Sequence, residues 1–211
     1  MMMIEDIIVK GVFATHCYFY IDDKSKRGFI IDPGAQGMRL LNHIYARGWK
    51  IEKILLTHGH FDHTGAVDEL RSALNVPVMI HSNGPEYLMR PEMNLSCFCG
   101  PAKTVSGAEC FEDGDWICLK SDAQFGLRVI HTPGHTEDSC LLYSERDRFA
   151  FSGDTIFRES IGNTSYPGGN REKILASIRE KVLTLPDDVS LYSGHSAVTT
   201  VAHEKQFWRG R

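Results

Sequence analysis

The sequence predicts a single mixed α/β (α+β) domain over residues 1–211, because short strand-like runs alternate with segments of helical period along the chain. At 211 residues the chain is long enough for one domain with a sizeable core, and short for two. The balance of 42% hydrophobic and 24% charged residues is that of a globular protein. No internal repeat, low-complexity tract or linker interrupts the alternation, so one domain is the expectation.

The first half of the chain supplies strands and helices in turn. Strands are predicted where β-branched and apolar residues gather in short runs, at 6–21, 28–32, 53–57 and 76–81. Helices are predicted where apolar residues recur every three or four positions, at 37–47 and 66–74. The Asp-Pro-Gly sequence at 32–34 predicts a turn between the second strand and the first helix. Residues 82–108 predict a short helix within a long loop, whose role is open between covering a functional site and self-association.

The second half begins with a predicted β-hairpin and ends with two helices separated by a strand. An Asp-Gly pair at 113–114 lies within the strand-like segment 109–119, a pattern typical of a hairpin turn. Further strands are predicted from apolar runs at 127–135, 139–144, 148–154 and 189–194. Helical spacing predicts a helix over 171–183, with Asn170 as its N-terminal cap, and a last helix near 198–207.

Charge and hydropathy exclude several classes of partner. The net charge of −4 leaves no basic excess to attract nucleic acid or anionic lipid. No apolar run approaches the ~18 residues of a membrane span, and acidic residues stand where a signal peptide would be basic. We therefore expect a cytoplasmic protein with no nucleic-acid or membrane partner and with its six cysteines reduced. Cys97 and Cys99, two residues apart and without further cysteines nearby, favour packing over a metal site or a redox pair.

The segment ILLTHGHFDHTGA, at 54–66, carries three histidines and an aspartate within six consecutive positions. These side chains lie in a tight loop between a predicted strand and a predicted helix: His58, His60, Asp62 and His63. Gly59 is expected to let the backbone turn so that the flanking histidines point the same way, whereas Asp62 and His63 are expected to point apart. Imidazole and carboxylate ligands so arranged suit two neighbouring ions of zinc, iron or manganese.

One loop cannot complete two coordination spheres, so further ligands are expected at other strand ends. The sequence places a histidine or an aspartate after three later strands, each directly preceded by a glycine: His135, Asp154 and His195. Three residues at equivalent positions make coincidence a poor explanation. The pattern therefore predicts one centre built from seven side chains.

The order H-x-H-x-D-H, followed by a distant His, Asp and His, resembles that of the metallo-β-lactamase superfamily over nearly the whole chain. The resemblance implies a four-layer αββα sandwich, with two sheets between helix layers and a two-metal site at one edge. It implies that one metal takes His58, His60 and His135. It implies that the other takes Asp62, His63 and His195, with Asp154 as the bridge.

Within the superfamily the chain looks most like glyoxalase II and its shorter bacterial relatives, which hydrolyse S-acyl-glutathione thioesters. The segments that carry this likeness are THGHFDHTGA, HTPGHT, SGDTIF, SYPGG and SGH. In that family a Lys or Arg after the bridging aspartate contacts the thiol carrier, and the matching position here is Asn163. Tyr166 matches a nearby aromatic, so Asn163 and Tyr166 are the expected substrate-binding residues. Glu137 and Asp138, in HTEDSC, are expected to add negative charge near the mouth of the site.

The resemblance implies hydrolysis of a small acyl-thiol substrate by a hydroxide that bridges two divalent metal ions, zinc or alternatively iron or manganese. Asp62 or Asp154 would orient this hydroxide, which makes these two the expected catalytic residues. A thiolate leaves readily because thiols have a pKa of about 8.5, so no general acid is required. The oligomeric state is open, a homo-oligomer included.

Three alternatives stay open. A persulfide dioxygenase, an oxidoreductase with a similar motif set, would bind one iron by His58, His60 or His135, and Asp154. A hydrolase of another ester or of a lactone would use the same seven side chains. A protein that binds metal without catalysis would be expected to have lost ligands, and none is lost.

Two residues near the motifs have two interpretations each. Asp32 either supports the metal loops or begins a turn with Pro33 and Gly34. His131 either supports the metal-binding side chains or is a strand-end histidine that is hydrogen-bonded to backbone.

Overall fold

Two six-stranded β-sheets pack face to face in the computed structural model, which describes residues 2–209. The strands of the first sheet lie side by side in chain order: β1 Met2–Lys10, β2 Ala14–Asp22, β3 Arg27–Ile31, β4 Lys50–Leu55, β5 Val78–His81 and β6 Glu109–Phe111. The β1–β2 and β2–β3 pairs are antiparallel, and the pairs from β3 to β6 are parallel.

The second sheet takes its strands from the C-terminal half of the chain: β7 Trp116–Cys118, β8 Gly126–His131, β9 Cys140–Ser144, β10 Phe149–Gly153, β13 Ser190–Ser193 and β14 Thr199–Thr200. Their spatial order is β14-β13-β10-β9-β8-β7, and only the β10–β13 pair is parallel. A separate small hairpin, β11 Ile156–Phe157 with β12 Ser160–Ile161, follows β10.

The helices occupy the outer faces of the two sheets. The longer ones are α1 Gly37–Arg47, α3 Val67–Leu74, α6 Arg171–Ser177 and α7 Val201–Trp208. Single turns or short helices are α2 Phe61–Thr64, α4 Gly84–Met89 and α5 Ser96–Cys99. As predicted, the Asn170 side chain caps α6, because its Oδ1 accepts a hydrogen bond from Lys173 N at 3.0 Å.

Side-chain alternation along the strands divides the core into three layers. In β2, Tyr18 and Tyr20 point between the two sheets, whereas Cys17, Phe19 and Ile21 point towards α1 and α3. A third apolar layer joins the second sheet to α6 and α7 and includes Ile174, Ile178, Leu191 and Val201. Helix, sheet, sheet and helix layers follow one another, so the predicted αββα sandwich is confirmed.

The N-terminal strand predicted over 6–21 is wrong in one respect, because the chain reverses there. Lys10 pairs with Ala14, and Gly11–Phe13 form the turn of a long hairpin. The turn sequence Gly-Val-Phe is apolar, so it did not stand out from the strands on either side.

The hairpin predicted at Asp113–Gly114 is also wrong. Gly114 does adopt a positive φ of 88°, as a turn requires, and Asp115 N donates to Glu112 O. However, β6 pairs with β5 in the first sheet and β7 pairs with β8 in the second. The turn therefore carries the chain from one sheet to the other, which local turn chemistry does not reveal.

Smaller differences concern the C-terminal helices and the cysteines. Helix α6 ends at Ser177 and continues as a π-helical turn over Ile178–Val182, and α7 begins three residues later than predicted, after β14. All six cysteines are free thiols, as expected. The packing interpretation of Cys97 is wrong, because this side chain is exposed.

None of the helices within residues 2–209 is long and apolar enough to cross a membrane. The loops that follow β4, β8, β10 and β13 meet at one edge of the sandwich, where their polar side chains converge.

Candidate metal centre

The first loop of the site follows β4 and turns directly into α2. His58, His60 and His63 are buried in it, and α2 carries both Asp62 and His63. A Cβ at Gly59 would lie 2.5 Å from Tyr87 Cβ, and the φ of Gly59 is not positive. Close packing against Tyr87, and not the expected turn, is therefore the reason for glycine at this position.

Three histidines form the first cluster, although one of them comes from a distant loop. His135 Nε2 lies 2.9 Å from His60 Nδ1, and His58 Nε2 lies 3.2 Å from the same His60 atom. All three rings are buried. This is the first group of side chains that is able to hold a metal ion: His58, His60 and His135.

The second cluster joins α2 to the loop after β13. His195 Nε2 lies 3.0 Å from Asp62 Oδ2 and 3.3 Å from His63 Nε2. Asp62 Oδ2 is 3.8 Å from His63 Nε2, so these two neighbours in sequence converge on one point. The expectation that they point apart is wrong, because adjacent residues in the first turn of a helix are only about 100° apart around its axis.

Asp154, at the end of β10, lies between the two clusters. Its Oδ2 is 3.6 Å from His135 Nε2 and 3.5 Å from His195 Nε2, while its Oδ1 is 3.4 Å from His63 Nε2. One carboxylate thus faces both groups of side chains. The structure brings together all seven of the side chains singled out in the sequence.

The outer ring nitrogens of four of these histidines are held by hydrogen bonds. His135 Nδ1–H donates to Asn163 O at 2.7 Å, and His195 Nδ1–H donates to Ala14 O at 2.9 Å. A ring that carries its hydrogen on Nδ1 presents a bare Nε2 lone pair to the centre. Such outer hydrogen bonds are typical of metal-binding histidines.

Asp32 holds the other two rings, directly or through one hydroxyl. It is buried, and His63 Nδ1–H donates to its Oδ2 at 3.0 Å. Thr57 N and Thr57 Oγ1 donate to its two oxygens at 2.8 and 2.6 Å. Because the hydroxyl hydrogen of Thr57 is used on Asp32, Thr57 Oγ1 accepts from His58 Nδ1–H at 3.1 Å. The first interpretation of Asp32 is therefore correct, because its carboxylate supports the metal loops.

Burial sets the protonation of the first cluster. Burial, together with the charge of His135, lowers the pKa of His60 to about 3, and burial also lowers the pKa of His135. Both imidazoles are therefore neutral at pH 7, the form that binds a metal. Burial alone would raise the pKa values of Asp62 and Asp154, but nearby histidines, His63 above all, lower them overall.

The donor set fits a divalent metal. Two nitrogens bound to one tetrahedral zinc ion at about 2.0–2.1 Å lie about 3.3 Å apart. The nitrogen separations of 2.9, 3.2 and 3.3 Å across the two clusters are close to that value. The outer nitrogens of four histidines are held in place, the imidazoles of the first cluster are neutral, and the two carboxylates are ionised. Zinc, iron and manganese all accept these ligands.

The prediction that Asp138 adds negative charge near the mouth of the site is wrong. This carboxylate is fully buried beneath the site, with Asp138 Oδ2 3.4 Å from the position of a Cβ on Gly59. Burial raises the pKa of Asp138 to about 7. Glu137 is half-buried and forms an ion pair with Lys173 at 2.7 Å.

A cavity of about 230 Å³ opens over the centre. Its wall combines five of the seven side chains with six further residues: Phe13, Phe61, Leu95, Phe157, Asn163 and Tyr166. The Tyr166 ring is 6.0 Å from that of His60, centroid to centroid. Asn163 also supports the site through its main chain, since its carbonyl holds His135. Sequence reasoning missed the apolar lining residues, because Phe13 and Leu95 come from turns far away in the chain.

His131 lies outside this centre. Its Nε2 is 2.8 Å from the carbonyl oxygen of Glu137, and its ring stacks on His81 at 4.0 Å between centroids. The second interpretation of His131 is therefore correct: it is a strand-end histidine that is hydrogen-bonded to backbone.

Comparison with known proteins gives the same family throughout. A profile of the metallo-beta-lactamase superfamily matches residues 11–195. The probable metallo-hydrolase YqgX of Bacillus subtilis is 37% identical, over 92% of this chain and 91% of the relative. The hydroxyacylglutathione hydrolase GloC of Haemophilus influenzae is 32% identical, over 95% of this chain and 94% of the relative.

Solved structures share the fold over the same extent. The B3 metallo-beta-lactamase BLEG-1 superposes with a TM-score of 0.90 at 33% identity, covering 97% of both chains. TTHA1623, solved in a di-iron-bound form, superposes with a TM-score of 0.83 at 29% identity, covering 96% of this chain and 98% of the other.

Proposed function

We propose that this chain, which belongs to the metallo-beta-lactamase superfamily, hydrolyses acyl thioesters at a centre of two divalent metal ions. Membership of a superfamily of metallo-hydrolases supports hydrolysis in general. The thioester, the number of metals and the roles of individual residues are the proposal. GloC, a relative over almost its whole length, is a hydroxyacylglutathione hydrolase by name, which supports the thioester.

The observation that carries the proposal is the position of Asp154 between two separate clusters. Its Oδ2 is 3.6 Å from a ring nitrogen of the first cluster and 3.5 Å from one of the second. Each cluster offers three ligand atoms without it: His58, His60 and His135 in one, and Asp62, His63 and His195 in the other. A centre for one metal would use only one of these two sets of convergent side chains as ligands.

Two divalent ions held there would supply Lewis acidity and would lower the pKa of bound water to about 7. Residues of the chain would orient the water, accept its proton and fix the tautomers of the histidines. Asp154 and Asp62 are ionised and are placed to orient the attacking water and to accept its proton. His135 and His195 are kept in one tautomer by the carbonyls of Asn163 and Ala14.

The lining of the cavity favours a thioester over an amide. Apart from the metal-centre residues, Tyr166 is the one side chain of the described cavity wall with an ionisable proton. An amine leaving group would need an acid placed to protonate it, whereas a thiol with a pKa of about 8.5 leaves as the thiolate. Phe13, Phe61 and Phe157 limit the access of bulk water to the acyl group.

The main competitor is a one-iron persulfide dioxygenase, which would need only the histidines of the first cluster and Asp154. The 3.0 Å approach of Asp62 to His195 favours the two-metal centre, because a one-iron site would not use these two side chains as ligands.

The test is thiol release by purified protein from a panel of thioesters that includes S-lactoylglutathione and neutral S-acetyl-N-acetylcysteamine. The protein is assayed after metal removal and after reloading, with its metal content measured on the same sample. We expect release only from the reloaded protein, with about two metals per chain. No release from any thioester would overturn the proposal. Oxygen uptake with glutathione persulfide and one iron per chain would establish the competitor.

A further inference from the structure

A second concavity, here named the outer groove, adjoins the cavity over the metal centre. It has a volume of about 210 Å³, and Phe13, Phe61 and Asp62 line both spaces. The Phe13 and Phe61 rings lie 6.0 Å apart, centroid to centroid, at the boundary. Beyond them the groove runs between the tip of the β1–β2 hairpin and the loop that contains Cys99 and Lys103. The two spaces together form one site with an inner and an outer part.

The inner part is suited to a small uncharged group. Its 230 Å³ is below the roughly 300–1,000 Å³ that is common for ligand pockets. Among residues 2–209, no lysine or arginine contributes to its wall. Asn163 stands where glyoxalase II-like proteins carry a Lys or Arg, and its side chain accepts a hydrogen bond from Ser165 N at 2.9 Å. Apart from the metal centre itself, an anionic substrate group therefore finds no lysine or arginine in the described wall of the inner part.

The outer groove does contain a cation, Lys103. Its backbone is held firmly: Lys103 N donates to Ser96 Oγ at 2.9 Å, and Lys103 O accepts from Asn94 Nδ2 at 3.0 Å. Asn94 is buried, and its own carbonyl accepts a hydrogen bond from Phe61 N at 2.9 Å. Two hydrogen bonds, both made by Asn94, thus connect the loop that carries Lys103 to the metal-binding loop.

Leu95, between Asn94 and Ser96, shows how tightly this connection is held. Its φ of 70° lies in the left-handed region, which costs a leucine about 1–2 kcal/mol. The flanking hydrogen bonds keep it there, where its side chain lines the inner cavity. The same short segment therefore shapes the inner wall and anchors the lysine of the outer groove.

The charge of Lys103 is not used within the described part of the protein. Its side chain is exposed, and within residues 2–209 its ammonium group forms no ion pair. Of the described carboxylates, Asp62 alone lines the outer groove, and it is engaged with His195 at 3.0 Å. An anionic group that enters the groove would thus meet a cation without a competing partner.

We propose that the outer groove binds the thiol carrier of the substrate, and that Lys103 holds an anionic group at the far end of that carrier. This assignment rests on the proposed thioesterase function. The small acyl group lies in the inner cavity above the metal centre, and the apolar stem of the carrier crosses the Phe13–Phe61 boundary. Carboxylate and phosphate carriers both satisfy this chemistry.

The test compares one acetyl group on three carriers: neutral N-acetylcysteamine, 3-mercaptopropionate with its carboxylate, and 4′-phosphopantetheine with its phosphate. The variants are Lys103→Met, which keeps an apolar stem without the charge, Lys103→Arg, and the distant exposed control Lys24→Met. For Lys103→Met we expect the ratio of kcat/KM between an anionic and the neutral carrier to fall about three- to tenfold through KM. Lys103→Arg restores the ratio, and Lys24→Met leaves it unchanged. The anionic carrier with the larger fall identifies the group that Lys103 holds.

The outcomes separate this assignment from the function on which it rests. Wild-type protein that hydrolyses none of the three thioesters overturns both. If the wild type is active but Lys103→Met leaves the ratio of kcat/KM between anionic and neutral carriers unchanged, only the assignment of the outer groove to the carrier is overturned. The groove assignment is also wrong if Lys103→Met instead discriminates against a carboxylate placed on the acyl group, as in a succinyl thioester of N-acetylcysteamine.

Discussion

Replacement of Asp32 by asparagine is the most informative perturbation of the support beneath the metal centre. The carboxylate accepts three hydrogen bonds, from Thr57 N, Thr57 Oγ1 and His63 Nδ1. An amide of the same shape has one acceptor oxygen, so at least one buried donor loses its partner in either orientation of the amide. The negative charge beside His63 is lost as well. The change therefore acts on the ring that belongs to the second cluster.

The expected magnitude follows from these contacts. An unsatisfied buried donor costs about 1–3 kcal/mol, so the free energy of unfolding of metal-free Asp32→Asn should fall by about 2 kcal/mol. Loss of the hydrogen-bond partner of a metal-binding histidine weakens metal affinity by about 10–100-fold. We expect this loss at the second cluster, with a smaller change at the first.

The assay is competition for metal with a chromogenic chelator, together with denaturant unfolding of the metal-free protein. Asp147→Asn is a matched control, since Asp147 accepts a 2.6 Å hydrogen bond from the Tyr20 hydroxyl far from the centre. It should lower stability but leave both metal affinities unchanged. If Asp32→Asn binds two metals as tightly as the wild type does, the inference that Asp32 supports the metal centre is refuted.

Three further outcomes are expected. Asp62→Ala should bind one metal per chain instead of two and lose most thioesterase activity, with an unchanged far-UV circular dichroism spectrum; full activity would contradict the two-metal mechanism. Because burial raises the pKa of Asp138 to about 7, its protonated form stabilises the fold below about pH 4, and this contribution is lost as the pH rises through 7. The free energy of unfolding of metal-free wild type should thus fall by up to about 4 kcal/mol more than that of Asp138→Asn between pH 4 and 7, and parallel profiles would refute this. Asn163→Ala should keep two metals, because the main-chain carbonyl that holds His135 remains; loss of metal would show that its side chain supports the centre.

The convergence of the metal-centre side chains could be predicted because it depends on local rules. A histidine or an aspartate in the loop that follows a strand lies near the edge of its sheet, and loops at the same edge bring such residues together. His58, His135, Asp154 and His195 all follow this rule, and the structure brings their ligand atoms into neighbouring clusters. The ligand residues could therefore be identified from the ends of their strands, and the resemblance implied that their loops meet.

Features that depend on contacts between distant segments could not be predicted. The sequence around Asp113 has the chemistry of a turn whether that turn closes a hairpin or connects two sheets. Only the strands with which β6 and β7 pair show that it connects two sheets. Asp138 is a polar residue in a loop, and its burial follows from the packing of that loop beneath Gly59. Lys103 lies in the segment whose role was left open. Its place in the groove depends on hydrogen bonds to Asn94 that no local pattern encodes.

Titration of metal into stripped protein, while thiol release from a hydrolysed thioester is followed, shows directly whether two metal ions are needed. We expect activity to reach its maximum only at about two equivalents of metal per chain, with zinc, iron and manganese compared in parallel. Maximal activity at one equivalent, or thiol release that does not depend on metal, would contradict the two-metal mechanism.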